Sequence, residues 1–250
     1  MKTKILIFIL LSASLEVLSQ ASMGGSVVYT RTTTYNFQST GNDEWDAYAK
    51  TLPSEGKFEK QLIFTSESSL YNEALTSEEA LPPEHQKALF FVNYGKAPKP
   101  TLKQLYIDFE KEESCALLEF MTREFRVENS LENRGWKLQA ERKKIGEYVC
   151  MKATANLDGD MVTAWFTPEI PVPAGPSEYF GLPGLVLAVE RLDETIFLAT
   201  SVDLSAPDPE LLVPPQAGKL TSPEDFEQIV EEKVEEYKQN APSKSNYYQK

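Results

Sequence analysis

Histidine is nearly absent from this chain: its 250 residues include one, His85, set in Pro82-Pro83-Glu84-His85-Gln86-Lys87. Without a second imidazole there is no histidine pair for a zinc or copper site, and a Ser-His-Asp arrangement would have to be assembled on that segment. G-x-S-x-G, H-E-x-x-H, a phosphate-cradling glycine loop and a dinucleotide fingerprint are all missing. Histidine-dependent hydrolysis has no support, and neither a metal ion nor a cofactor is expected. Basic residues are scarce too: 25 Lys and Arg face 38 Asp and Glu, a formal net charge of −13. Long-range attraction to nucleic acid or anionic lipid is thereby excluded. Carboxylate pairs such as Glu78-Glu79 and Glu112-Glu113 stand in charge-rich stretches that read as solvated surface. Acid/base catalysis by carboxylates stays open, because spatial pairing does not show in a sequence. Asn156, Asp158 and Asp160 alternate oxygen ligands, but no downstream Glu comes at calcium-loop spacing, so a hairpin turn is the better account.

Long apolar runs are also rare. The exception comes after Lys2 and Lys4, runs from Ile5 to Leu11, and exits through small residues to Ser19. A charged start, a short apolar stretch and a small-residue end describe a secretory signal peptide over residues 1–19, too short for a membrane span. The remaining chain is expected to be exported, as a periplasmic or envelope-associated protein soluble after cleavage. Only two cysteines are present, Cys115 and Cys150. An even count in an exported chain makes them a candidate disulfide; the alternative is two separate thiols packed as small hydrophobes. Strand alternation puts both on the side opposite Ala116, Leu118 and Phe120 in one strand and Val149, Met151 and Ala153 in the other.

Hydrophobic residues make up 41% of the chain, enough for one large core. Their spacing is mostly two. Val27 to Phe37 reads as a long first strand, and Leu62 to Phe64 with Leu70-Tyr71 as a second or its interrupted halves. Asp43 to Lys50 suits a brief helix capped by Asn42 or Asp43. Ser77 to Pro100 loses periodicity and reads as an irregular excursion. Half-buried strands come next around Leu105, Ile107 and Phe109, Ala116 to Phe120, and Phe125 with Val127. A return over Asn129 to Gly135 leads into Trp136, Leu138 and Ala140. Gly146, Asp158-Gly159 and Leu192-Asp193-Glu194 mark hairpin turns. Eight to ten strands predict a mainly β fold: a single curled antiparallel sheet, partly open and barrel-like, with a few short helices. Only the end changes period. Phe226, Ile229, Val230, Val234 and Tyr237 recur at helical intervals after Ser222-Pro223-Glu224-Asp225, predicting an amphipathic C-terminal helix over 221–238. The expected organisation is one domain over 20–240, with a frayed tail at 241–250.

The most informative stretch is A-W-F-T-P-E-I-P-V-P-A-G-P-S-E-Y-F-G-L-P-G-L-V-L-A-V, Ala164 to Val189. Pro183 suits the second position of a type II turn and Gly184 the third, which places that turn across Leu182 to Leu185. Leu185 to Val189 then reads as a strand buried on both faces. Gly181, Pro183 and Gly184 are accounted for as structural turn residues. Gly181-Leu182-Pro183-Gly184-Leu185, the upstream A-W-F-T-P-E-I-P and Tyr148 to Thr154 resemble the GLPGLI family of exported Bacteroidetes proteins, Val186 standing for the final Ile. Most members of that family have no assigned biochemistry, so the resemblance implies an exported β-rich fold and no particular reaction.

Trp165, Phe166, Tyr179, Phe180, Leu182 and Pro183 bracket the proline-bearing loop as candidate ligand-binding residues, since such rings offer contact area at small entropic cost. Three readings stay open. The first is a non-catalytic binding or accessory protein that takes an apolar small molecule, lipid or peptide on a concave apolar face. The second is an interaction module engaging an outer-membrane protein through its acidic helix or proline loops. The third is a carboxylate-dependent hydrolase.

Overall fold

The computed structural model describes residues 23–37, 41–73, 82–93, 96–157, 159–192 and 194–240. The signal peptide read at 1–19 and the tail at 241–250 lie outside the described residues. Twelve strands form one sheet. The first three are β1 (Gly24–Thr34), β2 (Glu55–Thr65) and β3 (Ser68–Asn72). Two meanders come next, β4 (Thr101–Asp108), β5 (Glu113–Phe120) and β6 (Arg123–Ser130), then β7 (Lys137–Ile145), β8 (Tyr148–Leu157) and β9 (Asp160–Thr167). After the proline-bearing loop come β10 (Leu185–Arg191), β11 (Glu194–Asp203) and the short β12 (Lys219–Thr221). Helices α1 (Asp43–Ala49) and α2 (Pro83–Asn93) interrupt the first half, and α3 (Pro223–Asn240) ends the described chain.

The strand order is β12-β6-β5-β4-β3-β2-β1-β11-β10-β9-β8-β7. Every pairing is antiparallel save β12, which lies parallel to β6 because it arrives by a long connection instead of a hairpin. Connectivity alone forces curvature. β6 and β7 stand ten positions apart in the order, roughly 48 Å on a flat sheet. The chain crosses from Ser130 to Lys137 in seven steps, a reach of about 25 Å. The sheet must therefore curl until its two ends approach, yet β7 and β12 remain edges and the barrel stays open. Two bonds fasten the crossing: the Leu131 amide donates to the Glu112 carbonyl at 2.7 Å, and the Trp136 indole donates to the Phe180 carbonyl at 2.9 Å.

One large core gathers on the enclosed side, from Leu105 and Ile107 on β4 through Tyr71, Leu62, Val27 and Phe197 to Val162 and Ala164 on β9. A second, small core joins Phe120, Phe125 and Val127 to Phe226 of α3, with Leu118, Ile229 and Val230 packed beside it. Ser222 caps α3 through a 3.1 Å bond from the Asp225 amide, and Pro223 opens it, so the helix spans 223–240 instead of the expected 221–238.

The sheet is mainly β as expected, with more strands than the eight to ten read from periodicity. Helix α2 occupies part of the stretch read as irregular. Pro83 starts it without loss, since the first helical N–H has no partner anyway, and its apolar residues, Ala88 to Val92, come consecutively and so show no helical period. β7 departs in the opposite sense. Leu138 and Ala140 were expected to face the core, but β7 is the sheet's edge and both are exposed, Glu141, Arg142 and Lys144 with them. Charge on an edge strand discourages pairing with other chains.

Both cysteine thiols are free and buried. Cys150 is fully enclosed within the large core, contrary to the expectation that alternation turns it away from packed surface, whereas Val149 is exposed. In β8 burial falls on Cys150, then on Ala153 and Ala155, so both faces of the strand are covered in turn. Burial pushes the Cys150 thiol up to about 11.

Candidate functional site

The Leu-Pro-Gly bend turns more tightly than a type II turn. Gly184 N–H donates to the Leu182 carbonyl at 2.7 Å, closing three residues around Pro183, while Leu185 N–H goes to Ile170 O at 2.9 Å. A proline φ suits the centre of such an inverse γ-turn, and the Leu185 amide is drawn off by the adjoining loop. That loop runs beside the turn: Gly181 N–H donates to Pro173 O at 2.8 Å and Val186 N–H to Ala174 O at 3.0 Å. The two glycines differ in kind. Gly181 needs only its positive φ of +86°, with open space where a Cβ would stand. Gly184, at φ +153°, has its Cβ position overlapping the Thr167 carbonyl oxygen.

Structure disperses the candidate ring set through the interior. Phe166, Tyr179, Phe180 and Leu182 are buried in the large core, and Pro183 is exposed on the turn. Trp165 adjoins Phe166, so strand alternation directs it to the other face. There its indole donates to Glu190 Oε1 at 3.0 Å, and Lys143 Nζ lies 4.2 Å from the ring centroid. The Phe180 ring takes Arg134 at 4.6 Å. Tyr179 reaches the deepest feature of the molecule.

Phe197 of β11 sits at the centre of three tyrosines. Tyr29, Tyr71 and Tyr179 meet it edge-on, with ring centroids 6.4, 6.3 and 5.9 Å away. β3 and β11 are three positions apart, so the Tyr71 contact needs the curl of the sheet. Tyr29 O–H donates to Val186 O at 2.6 Å, tying β1 to β10 beside that strand's register shift. A charged clasp borders the rings. Glu73 accepts from Tyr71 O–H at 2.6 Å and from Arg31, and pairs with Lys60 Nζ at 3.3 Å. Lys60, itself buried, also donates to Glu73 O at 2.5 Å. Burial holds the phenols of Tyr29, Tyr71 and Tyr179 protonated well above their ordinary range, with Glu73 adding to this at Tyr71 and Glu178 at Tyr179. This clasp orders β1, β2 and β3 around one carboxylate engaged by Arg31, Lys60 and Tyr71.

Residues 156–188 match the model of a family described as a protein of unknown function (Porph_ging). That span runs from the end of β8 through β9 and the loop into β10, so the match falls on the Leu-Pro-Gly bend and the chain it rests against. No curated protein matches the sequence. Among solved structures, two of PNGF-II, in space groups C2 and P21, share the fold at a TM-score of 0.56 and 15% identity over 85% of this chain. The chain spans only 33 to 34% of the PNGF-II length. The likeness concerns the fold, which in PNGF-II is part of a longer chain.

Exposed aromatic surface lies elsewhere, on the two helices the sheet does not swallow. α1 buries none of its residues, and α2 buries Ala88. Phe91 sits between them, its ring 5.5 Å from Trp45, 5.8 Å from Tyr48 and 5.8 Å from Phe90. Trp45 is 49% exposed, Tyr48 38% and Phe90 61%. Sequence reading missed this cluster because Phe90-Phe91 fell in a stretch without period. It missed the clasp because Arg31, Lys60 and Glu73 are distant in the chain. One signal was available: Lys60 shares strand parity with Leu62 and Phe64, an ionic side chain on a core-facing position. Among the described residues no group of three His, Cys, Asp or Glu side chains is placed to hold a metal ion. No described helix is long and apolar enough to cross a membrane.

Proposed function

We propose that this chain is an exported, non-catalytic accessory protein of the cell envelope that works by engaging another protein. One observation carries the reading. The rings of the Leu-Pro-Gly segment are spent on packing, whereas Trp45, Tyr48 and Phe90 present aromatic surface on helices that add little to the core. Exposed contiguous aromatic surface costs solubility and is characteristic of contact sites. The leader-like residues 1–19 and the GLPGLI resemblance support export, and a fold that forms part of the longer PNGF-II chain suits an accessory module.

Native mass spectrometry of the protein purified from its own envelope tests this. The expected result is an adduct of protein mass that disappears in a W45S/F90S variant. An adduct of small mass instead favours an apolar ligand at Trp165, Phe166, Tyr179, Phe180, Leu182 and Pro183. That reading rests on the sheet's remaining open between β12 and β7, and it requires the buried loop to leave the enclosed face. Bare protein from the envelope overturns both.

A further inference from the structure

β7 and β12 end the strand order, and of the two only β7 is long, with nine residues against three. Its outer edge carries main-chain N–H and C=O groups at strand spacing, with no strand beside them among the described residues. The pairing with β8 shifts register between Leu138 and Arg142, then runs regularly from Arg142 to Ile145 against Met151 to Tyr148. Cations gather on that regular stretch. β7 holds Lys137, Arg142, Lys143 and Lys144 against Glu141 alone, in a chain whose net charge is −13. Lys143 and Glu141 have uses inside the fold: Lys143 pairs with Glu190 at 2.6 Å and stands over Trp165, and Glu141 pairs with Lys152 at 3.0 Å. Arg142 and Lys144 have no such use. Both are exposed and pair with no described carboxylate, and Val149, which stands opposite Lys144 in the ladder, is exposed with them. Like charges in register would keep two copies of β7 apart, whereas an acidic strand meets the same row with opposite sign. Only a peptide strand matches the main-chain spacing of the edge, and a long polyanion would be repelled by the rest of the molecule. Close contacts escape that field, since salt screens it beyond about 8 Å.

We propose that the β7 edge receives an extended acidic segment of a partner protein, added antiparallel along Arg142 to Ile145, with carboxylates two residues apart meeting Arg142 and Lys144. The site is separate from the rings of α1 and α2 and does not depend on them. A blocked Thr-Glu-Val-Glu-Val-Glu-Thr peptide, titrated into the full chain and followed by calorimetry and by amide hydrogen exchange, tests it. The expected result is saturable binding that weakens with salt and slows exchange at amides within 142–145. R142Q/K144Q, at two exposed positions, should weaken binding about tenfold. A fully N-methylated copy of the peptide keeps the charge but lacks the N–H groups, and should also bind about tenfold less tightly. W45S/F90S should bind the peptide as the parent does. A silent peptide, unchanged exchange at 142–145, or equal binding by R142Q/K144Q overturns the proposal. Equal binding of the N-methylated copy overturns it too, since charge alone would then suffice, as does loss of binding in W45S/F90S. If the peptide is silent while the envelope-derived protein adduct is still lost in W45S/F90S, the β7 proposal fails and the protein-engaging reading stands. If the peptide seats on β7 while the envelope yields bare protein, the reverse holds.

Discussion

Gly181 and Gly184 stand three residues apart in one motif, yet their replacement by alanine should differ severalfold in cost. At Gly181 the added methyl meets nothing within 4 Å, so the cost is the left-handed φ of +86° alone. That is about 1 to 2 kcal/mol. At Gly184 two effects add. The φ of +153° strains an L-residue by about 1 to 3 kcal/mol. The new Cβ also overlaps the Thr167 carbonyl and stands 3.1 Å from Phe166 Cδ2, in a fully buried strand start that must shift at about 1 to 3 kcal/mol more. The sum for G184A is about 2 to 6 kcal/mol. At about 2 to 4 °C per kcal/mol for a chain of this size, G181A should lower Tm by roughly 5 °C and G184A by roughly 10 °C or more. Urea melts of both variants give the free energies directly. Equal losses would refute the reasoning, since they would mean that the packing against Thr167 contributes nothing.

Alkaline pH should unfold the protein through its buried phenols. Their folded pKa values are raised, so the stability is fully present below the unfolded value near ~10 and falls as pH rises beyond it. Y29F should flatten that limb while costing about 1 to 2 kcal/mol at neutral pH for the lost 2.6 Å bond, as read by denaturant melts across pH. The β5–β6 turn places Met121 and Thr122 at φ +49° and +63°, so an M121N/T122G variant should be about 1 to 3 kcal/mol more stable in thermal melts. F226A removes the ring 5.1 Å from Phe125, and should bring a loss of about 3 kcal/mol with reduced helical circular dichroism. Thiol titration without reductant should find Cys115 and Cys150 unreactive in the native protein and both reactive after unfolding.

The sheet was legible in the sequence because alternation is a local property, and the strands around Leu105 and Val127 obey it. Hairpin turns at Gly146 and Gly159 could be seen for the same reason, since positive φ is a demand made by a few neighbouring atoms. Leu138 shows the limit: its alternation is correct, but whether a strand is central or an edge is decided by strands it never neighbours in sequence. The motif rings show another. Trp165 and Phe166 were grouped because both are aromatic, although a strand must send consecutive side chains to opposite faces.

By itself the sequence determined the strand period, the acidic surface, the capped α3 and the need for glycine at the motif bend, because each arises from bonds and torsions spanning a few residues. Only the tertiary structure decided that the curl brings Tyr71 to Phe197, that Arg31, Lys60 and Glu73 clasp one another, and that Phe166, Tyr179 and Phe180 turn inward while the rings of α1 and α2 stay exposed. Those outcomes depend on how far a sheet bends between its two edges, a sum of many small strand twists that no single stretch of chain encodes.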